Sequence, residues 1–287
     1  MTMKKEEKSS SASGFKELKT AQELVTYLDN PSRLDNSPFL YQYTRISNLI
    51  HMFRERKWHL CNAKGMNDVL EYKSGDANRW KNLFFTCFMG EDSESIGMWS
   101  MYAQPWEKGV KIGIPKTALR RWAKEIDMLY EIDPISYQLT GRKLNVKEEG
   151  VNVKISAVSY SNIQSRVSSE EQKTVSWSNK RNTLLSDAIH DPILTGYIKD
   201  MAWSYEKEVR LKATFENSIG FQRTAVEIPD YVIDNMTITT SPLFEGSLEA
   251  QLEKEITHQF IVQRSLFTGK LNIKDPCKSC EYKQSVK

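Results

Sequence analysis

The chain has 287 residues and carries 40 Lys and Arg against 37 Asp and Glu, a formal charge of +3. That excess is too small to mark a nucleic-acid binder by itself. Apolar residues make up 39% and aromatic residues 10%, including seven Trp, which excludes wholesale disorder and leaves enough length for a sizeable core.

Residues 1–14 (MTMKKEEKSSSASG) are charged, Ser-rich and aperiodic, and are expected to form a disordered tail ahead of a single body over residues 15–287. No apolar stretch follows the early lysines, so no secretory signal is expected. No window approaches the ~18 apolar residues of a membrane span. Four cysteines do not make a disulfide framework, and a cytoplasmic location with no membrane partner is expected.

The elements follow in order. Residues 15–28 carry apolar side chains at helical spacing, residues 40–44 read as a short aromatic strand, and Ile46, Leu49, Ile50 and Phe53 predict a helix capped by Thr44 or Ser47. Strands are predicted at 57–61, 83–88 and 109–114, with a turn-rich stretch over 62–76 and a short helix ending near Tyr102. Pro115 can start a helix carrying Leu119, Trp122 and Ile126. Further along, the pattern predicts a strand over 151–160, mostly helix over 184–203, strands over 205–215 and 231–240, and an amphipathic helix over 247–263. This order indicates one α+β domain of interspersed short strands with flanking helices.

The best chemical lead is residues 205–215 (YEKEVRLKATF). In an extended strand Glu206 and Glu208 point the same way, roughly 7 Å apart, and could divide labour between an ionised carboxylate and one that polarises a nucleophile. The simpler reading of the alternation is a solvated face. Asn67, Asp68 and Glu71 form a second acidic group in turn-rich surroundings. Trp99 and Tyr102 share a helical face if residues 95–102 are helical, as core or as the wall of a pocket that stacks a planar ring. His51, His59, His190 and His258 show no HxxxH or HExxH spacing, so no metal site is signalled. Cys277 and Cys280 form a CxxC near the C-terminus, read as reduced thiols or half of a shared zinc site.

The motifs Leu40-Tyr41-x-Tyr43, Asn67-Asp68-x-x-Glu71, Trp99-x-x-Tyr102, Gly109-Val110-x-Ile112-Gly113 and Lys199-x-x-x-Trp203-x-Tyr205-Glu206-x-Glu208-x-Arg210 occur in that order. Together they resemble a widespread bacterial family of unknown function whose members carry Y-x-Y, N-D-P-x-E, M-W-x-x-Y and W-x-Y-E-x-E-x-R. Val69 stands where that family usually has proline. Residues 40–49 (LYQYTRISNL) are also similar to the opening of DarT-type DNA ADP-ribosyltransferases, with Thr44 and Asn48 agreeing and Gln42 and Arg45 replacing two histidines.

The second resemblance implies an ADP-ribosyltransferase-like split of the strands into two small sheets, with NAD as substrate. Under it, Glu208 would hold the ribose 2′-hydroxyl and Glu206 would act on the acceptor. Arg45 would pair with the pyrophosphate. Tyr43, Thr44, Asn48, Trp99 and Tyr102 would complete the NAD site. The implied acceptor is a nucleic acid, DNA or RNA, in a toxin or phage-defence setting with an antitoxin protein as partner. Two other classes compete: a Mg²⁺-dependent nuclease built on Asp68, Glu71, Glu206 and Glu208, and a non-catalytic interaction module.

Overall fold

The computed structural model describes residues 18, 20–31, 34, 37–68, 71, 80–161, 177–178, 183–184, 192–217, 220–252 and 261–271. The expected tail, the Cys277–Cys280 pair, His190 and His258 lie outside the described residues.

Helix α1 (Ala21–Leu28) begins at a capping box in which Thr20 and Glu23 satisfy each other's backbone N–H groups. Strand β1 (Phe39–Arg45) runs directly into helix α2 (Ile46–Glu55). Neither Thr44 nor Ser47 caps α2. Arg45 holds the N-cap position without a side-chain bond, and the Thr44 hydroxyl instead accepts from Asn48 Nδ2 at 3.0 Å. Then come β2 (Lys57–Asn62), β3 (Leu83–Met89), helix α3 (Ile96–Tyr102), β4 (Gly109–Pro115) and helix α4 (Lys116–Glu125). A hairpin absent from the sequence expectation follows, β5 (Met128–Ile132) and β6 (Leu139–Asn145).

The expected strand over 151–160 is two strands, β7 (Asn152–Ala157) and β8 (Ser159–Ser161), with short β9 (Trp177–Ser178) and β10 (Thr183–Leu184) beyond. The expected helix over 184–203 is corrected where it is described. It contains strand β11 (Ile198–Asp200) and the start of a 3₁₀ turn over Met201–Glu206, because Gly196 (φ 77°) turns the chain and Ile198 and Leu194 pack on α1. Strand β12 (Glu208–Thr214) starts later than expected, after Lys207 in the left-handed region (φ 45°). Strand β13 (Arg223–Glu227), helix α5 (Asp230–Ile233), β14 (Thr237–Thr240), helix α6 (Leu248–Leu252) and β15 (Ile261–Arg264) close the described chain. Of the helix predicted over 247–263, Leu248–Leu252 is helical and Ile261–Arg264 is instead a strand that pairs in parallel with β14, residues 253–260 lying outside the described residues.

The α+β organisation is as expected, but the strands divide unequally, into one sheet of eleven and one of four. The large sheet forks at β3. On one edge β3 pairs with β12 along its whole length, from Leu83 opposite Thr214 to Met89 opposite Glu208. On its other edge β1 pairs only at Met89, and β2 only at Phe84 and Phe85. Residues 86–88 thus face a wedge between diverging strands, with β4, β14 and β15 extending one arm and β13, β5 and β6 the other. Side chains bridge the wedge: Gln42 Nε2 from β1 (2.8 Å) and Trp58 Nε1 from β2 (3.1 Å) both donate to the Thr86 hydroxyl. Gln42 also donates to the Cys87 carbonyl at 3.4 Å. The last of these bonds satisfies a backbone carbonyl at the open edge of β3.

The main core lies on the apolar face of this sheet, where Leu40, Phe84, Ile112, Leu211 and Val226 meet Trp58 and Trp122, which contact edge to face. A second cluster joins Tyr43, Met89, Trp99 and Trp106. No helix among the described residues is long and apolar enough to cross a membrane.

Gly109, at the start of β4, is held by close approach. A Cβ there would stand 2.6 Å from the Ala103 carbonyl oxygen, a backbone atom that no rotamer change can move. Gly109→Ala is expected to destabilise the protein by about 2 kcal/mol, read as a lowered urea midpoint with an unchanged m-value.

Candidate functional site

The alternation along β12 does not describe a solvated face. Six of its seven residues are buried, because β12 lies between β3 and β7 and its charged side is covered by residues 196–200. Val209, Leu211 and Ala213 enter the main core, while Glu208, Arg210 and Lys212 point the other way.

Arg210 is fully buried and uses each of its five N–H groups. Nε donates to Glu208 Oε1 (2.7 Å), and Nη2 donates to Glu208 Oε2 (3.1 Å) and Glu71 Oε2 (3.0 Å). Nη1 donates to Glu71 Oε1 and to the Gly196 carbonyl (3.0 Å). Phe85 lies under the guanidinium, its ring centre 4.3 Å away. Gly196 meets this demand with a positive φ and by close approach, since a Cβ would stand 2.7 Å from Leu83 Cδ2.

Lys199 extends the network. Its ammonium lies 2.5 Å from Glu206 Oε2 and 3.3 Å from Glu208 Oε2, with the Trp203 ring centre at 4.6 Å. Tyr102 donates to Glu206 Oε1 and accepts from Asn67 Nδ2 at 2.9 Å. Glu206 is not on the strand but ends the 3₁₀ turn, so the two carboxylates converge through Lys199 rather than through strand alternation.

Three carboxylates (Glu71, Glu206, Glu208) thus face two cations. Burial would raise the Glu208 carboxyl, but the charges of Arg210 and Lys199, with bonds from Arg210 and Cys87, hold it at about 2. Burial dominates at Glu206, which lies above the usual carboxylate range despite Lys199. Glu206 and Glu208 also keep Lys199 protonated against the effect of its burial. Glu208 is therefore the ionised carboxylate of the network, while burial raises both Glu206 and Glu71 above the ordinary carboxylate value.

This network borders a cavity of about 580 Å³ in the wedge between β1 and β2. Six of the residues singled out from the sequence line it: Tyr43, Thr44, Asn48, Tyr102, Glu206 and Glu208. The other two do not. Arg45 is exposed at the end of β1, outside the cavity lining. Trp99 is buried edge to face against Tyr43 and donates to Glu94 at 3.0 Å. On α3 the pair that faces the cavity is Met98 and Tyr102, one turn apart, which rotates Trp99 into the second core cluster.

The structure adds groups without a motif to announce them. Arg223 on β13 lines the cavity, with Tyr137 beneath its guanidinium (4.5 Å) and no carboxylate paired to it among the described residues. His51 and His59 line the same side. Burial, with the nearby His51 and Arg223, lowers His59 to about 4, so its imidazole is neutral at pH 7. The arginine that borders the cavity is thus on β13, 178 positions from Arg45. For the nuclease alternative, Glu71, Glu206 and Glu208 do come together, yet their charge is met by Arg210 and Lys199.

Glu208→Gln leaves Arg210 and Lys199 short of an anion. It is expected to destabilise the protein by about 3 kcal/mol at pH 7. The folded-state pKa of about 2 lies below the ordinary 4.5. The contribution of Glu208 is therefore complete above pH 4.5 and lost as pH falls toward 2. Denaturant unfolding of both proteins across that range should show the difference shrinking with acidification.

Residues 98–211 match the family described as a protein of unknown function (DUF2971), less than half of the chain, covering α3 through most of β12. No curated protein and no solved structure matches the chain.

Proposed function

We propose that the cavity binds NAD and that the protein transfers ADP-ribose from it to a macromolecular acceptor. The observation that carries this reading is the convergence of Tyr43, Thr44, Asn48, Tyr102, Glu206 and Glu208, from three separate sequence segments, on one cavity. Its volume and its lining, in which aromatic rings alternate with polar and charged side chains, fit a nucleotide-sized ligand. Arg223 supplies the planar cation suited to a pyrophosphate, in place of Arg45.

In this reading the roles of the two carboxylates exchange. Glu208 is the fixed anion that positions Lys199 and Arg210, because bonds from both cations hold it ionised. Glu206, raised by burial and bonded to the Tyr102 hydroxyl, faces the reacting sugar. The bond between ribose C1′ and nicotinamide breaks with its electron pair leaving on neutral nicotinamide. Negative charge at Glu206 favours the oxocarbenium-like transition state. The acceptor attacks C1′, and its proton passes to Glu206 and on to solvent. DNA or RNA as the acceptor, and an antitoxin that restrains the activity, belong to the same proposal on the strength of the DarT-like opening.

The test is nicotinamide release from labelled NAD with DNA, RNA and cell-extract protein as acceptors. Glu206→Gln should lower release by about 100-fold or more while circular dichroism shows a folded protein that still binds NAD. Absence of NAD binding and of nicotinamide release in the wild-type protein overturns the reading.

A further inference from the structure

Helix α2 and strand β2 bring together three groups whose spacing signals nothing in the sequence. His51 and Glu55 lie one helical turn apart, and Arg56, in the left-handed region (φ 52°), reverses the chain so that His59 returns to them. Glu55 Oε2 lies 3.4 Å from His51 Nε2 and 3.9 Å from His59 Nε2, and the three ligand atoms are all within 4.8 Å of one another. Glu55 Oε2 and His59 Nε2 are buried and make no hydrogen bond among the described residues. Buried polar atoms are rarely left so, and here two of them face each other with a third ligand atom beside them.

We propose that His51, Glu55 and His59 bind a divalent transition-metal ion of the zinc class, with a coordination position open to the cavity. Metal–ligand bonds of about 2.0–2.1 Å in a tetrahedral arrangement place ligand atoms about 3.3 Å apart, which small side-chain adjustments reach from the observed spacing. Two imidazoles and one carboxylate favour zinc-like ions over the hard cations that prefer all-oxygen sites. His51 Nε2 lies 3.2 Å from the Tyr137 carbonyl, to which it donates in the tautomer that carries hydrogen on Nε2; the other tautomer leaves Nε2 free for a metal. His51 and His59 line the cavity, so the open position is accessible to a ligand there. The charge of Arg223 reaches His59 and favours an anionic group, such as a phosphate oxygen, as the fourth ligand.

The site is built on α2 and β2, apart from the elements that carry Glu206 and Glu208, and its test needs no NAD. Equilibrium dialysis of the full chain against Zn²⁺, with Co²⁺ as a spectroscopic stand-in, should give one equivalent bound per chain. The visible absorption of Co²⁺ should be that of a four- or five-coordinate ion with nitrogen ligands. His59→Ala and Glu55→Gln should each weaken binding at least tenfold, and circular dichroism would confirm folding. Glu55→Gln preserves the side-chain shape and keeps the test decisive if His59→Ala fails to fold. Wild-type protein that takes up no stoichiometric Zn²⁺, or a folded Glu55→Gln variant that binds as tightly as wild type, overturns the proposal.

Discussion

A buried arginine organises this protein. Arg210 is removed from water and can be tolerated there only because five N–H groups find five bonds, four of them to carboxylate oxygens. That requirement joins distant parts of the chain: Glu71 from the turn-rich segment, Gly196 from the turn before β11, and Glu208 from β12 itself. Once Glu208 is fixed by Arg210, Lys199 is drawn to it, and Glu206 is drawn to Lys199. The network thus holds the 3₁₀ turn, β11 and the start of β12 in one arrangement. Three carboxylates meet two cations there, and two of the three, Glu206 and Glu208, face the cavity.

The fork in the large sheet is the second constraint, and it creates the space. Strand β3 cannot pair with β1 and β2 over the same residues, so its outer edge opens at residues 86–88. Polar side chains on Gln42, Trp58 and Thr86 take over the hydrogen bonding there, which keeps the wedge from being an unsatisfied gap. Helix α2 spans the mouth because it connects the diverging strands. Residues on α2 and on the two arms therefore face one another without any sequence relationship, and this is how Arg223, His51 and His59 meet Tyr43 and Tyr102.

Much of the fold was legible from the residues. The apolar run of β3, the glycine-bounded β4, helix α2 and the carboxylates before Arg210 are local patterns, and local patterns survive folding. The differences share a cause. Spacing puts Glu206 and Glu208 on one strand face, but Lys207 adopts a left-handed conformation that ends a turn between them. The alternating charges of β12 suggested water, yet a second layer covers them, and a buried salt network has the same periodicity as a solvated face. Trp99 shares its motif with Tyr102, but three-residue spacing on a short helix leaves enough rotation to send one ring to the core and the other to the cavity.

The sequence by itself determined the α+β class, the positions of β1 to β4 and β12 and of helices α1 to α4, and six of the residues that line the cavity. Those depend on period, propensity and motif, which are carried by neighbours along the chain. Only the tertiary structure decided which carboxylate is held ionised and which are raised by burial, where an arginine could meet an anion, and that two histidines and a glutamate converge. Charge state follows from burial and from partners more than a hundred positions away, and neither is present until the sheet has forked and its layers have closed.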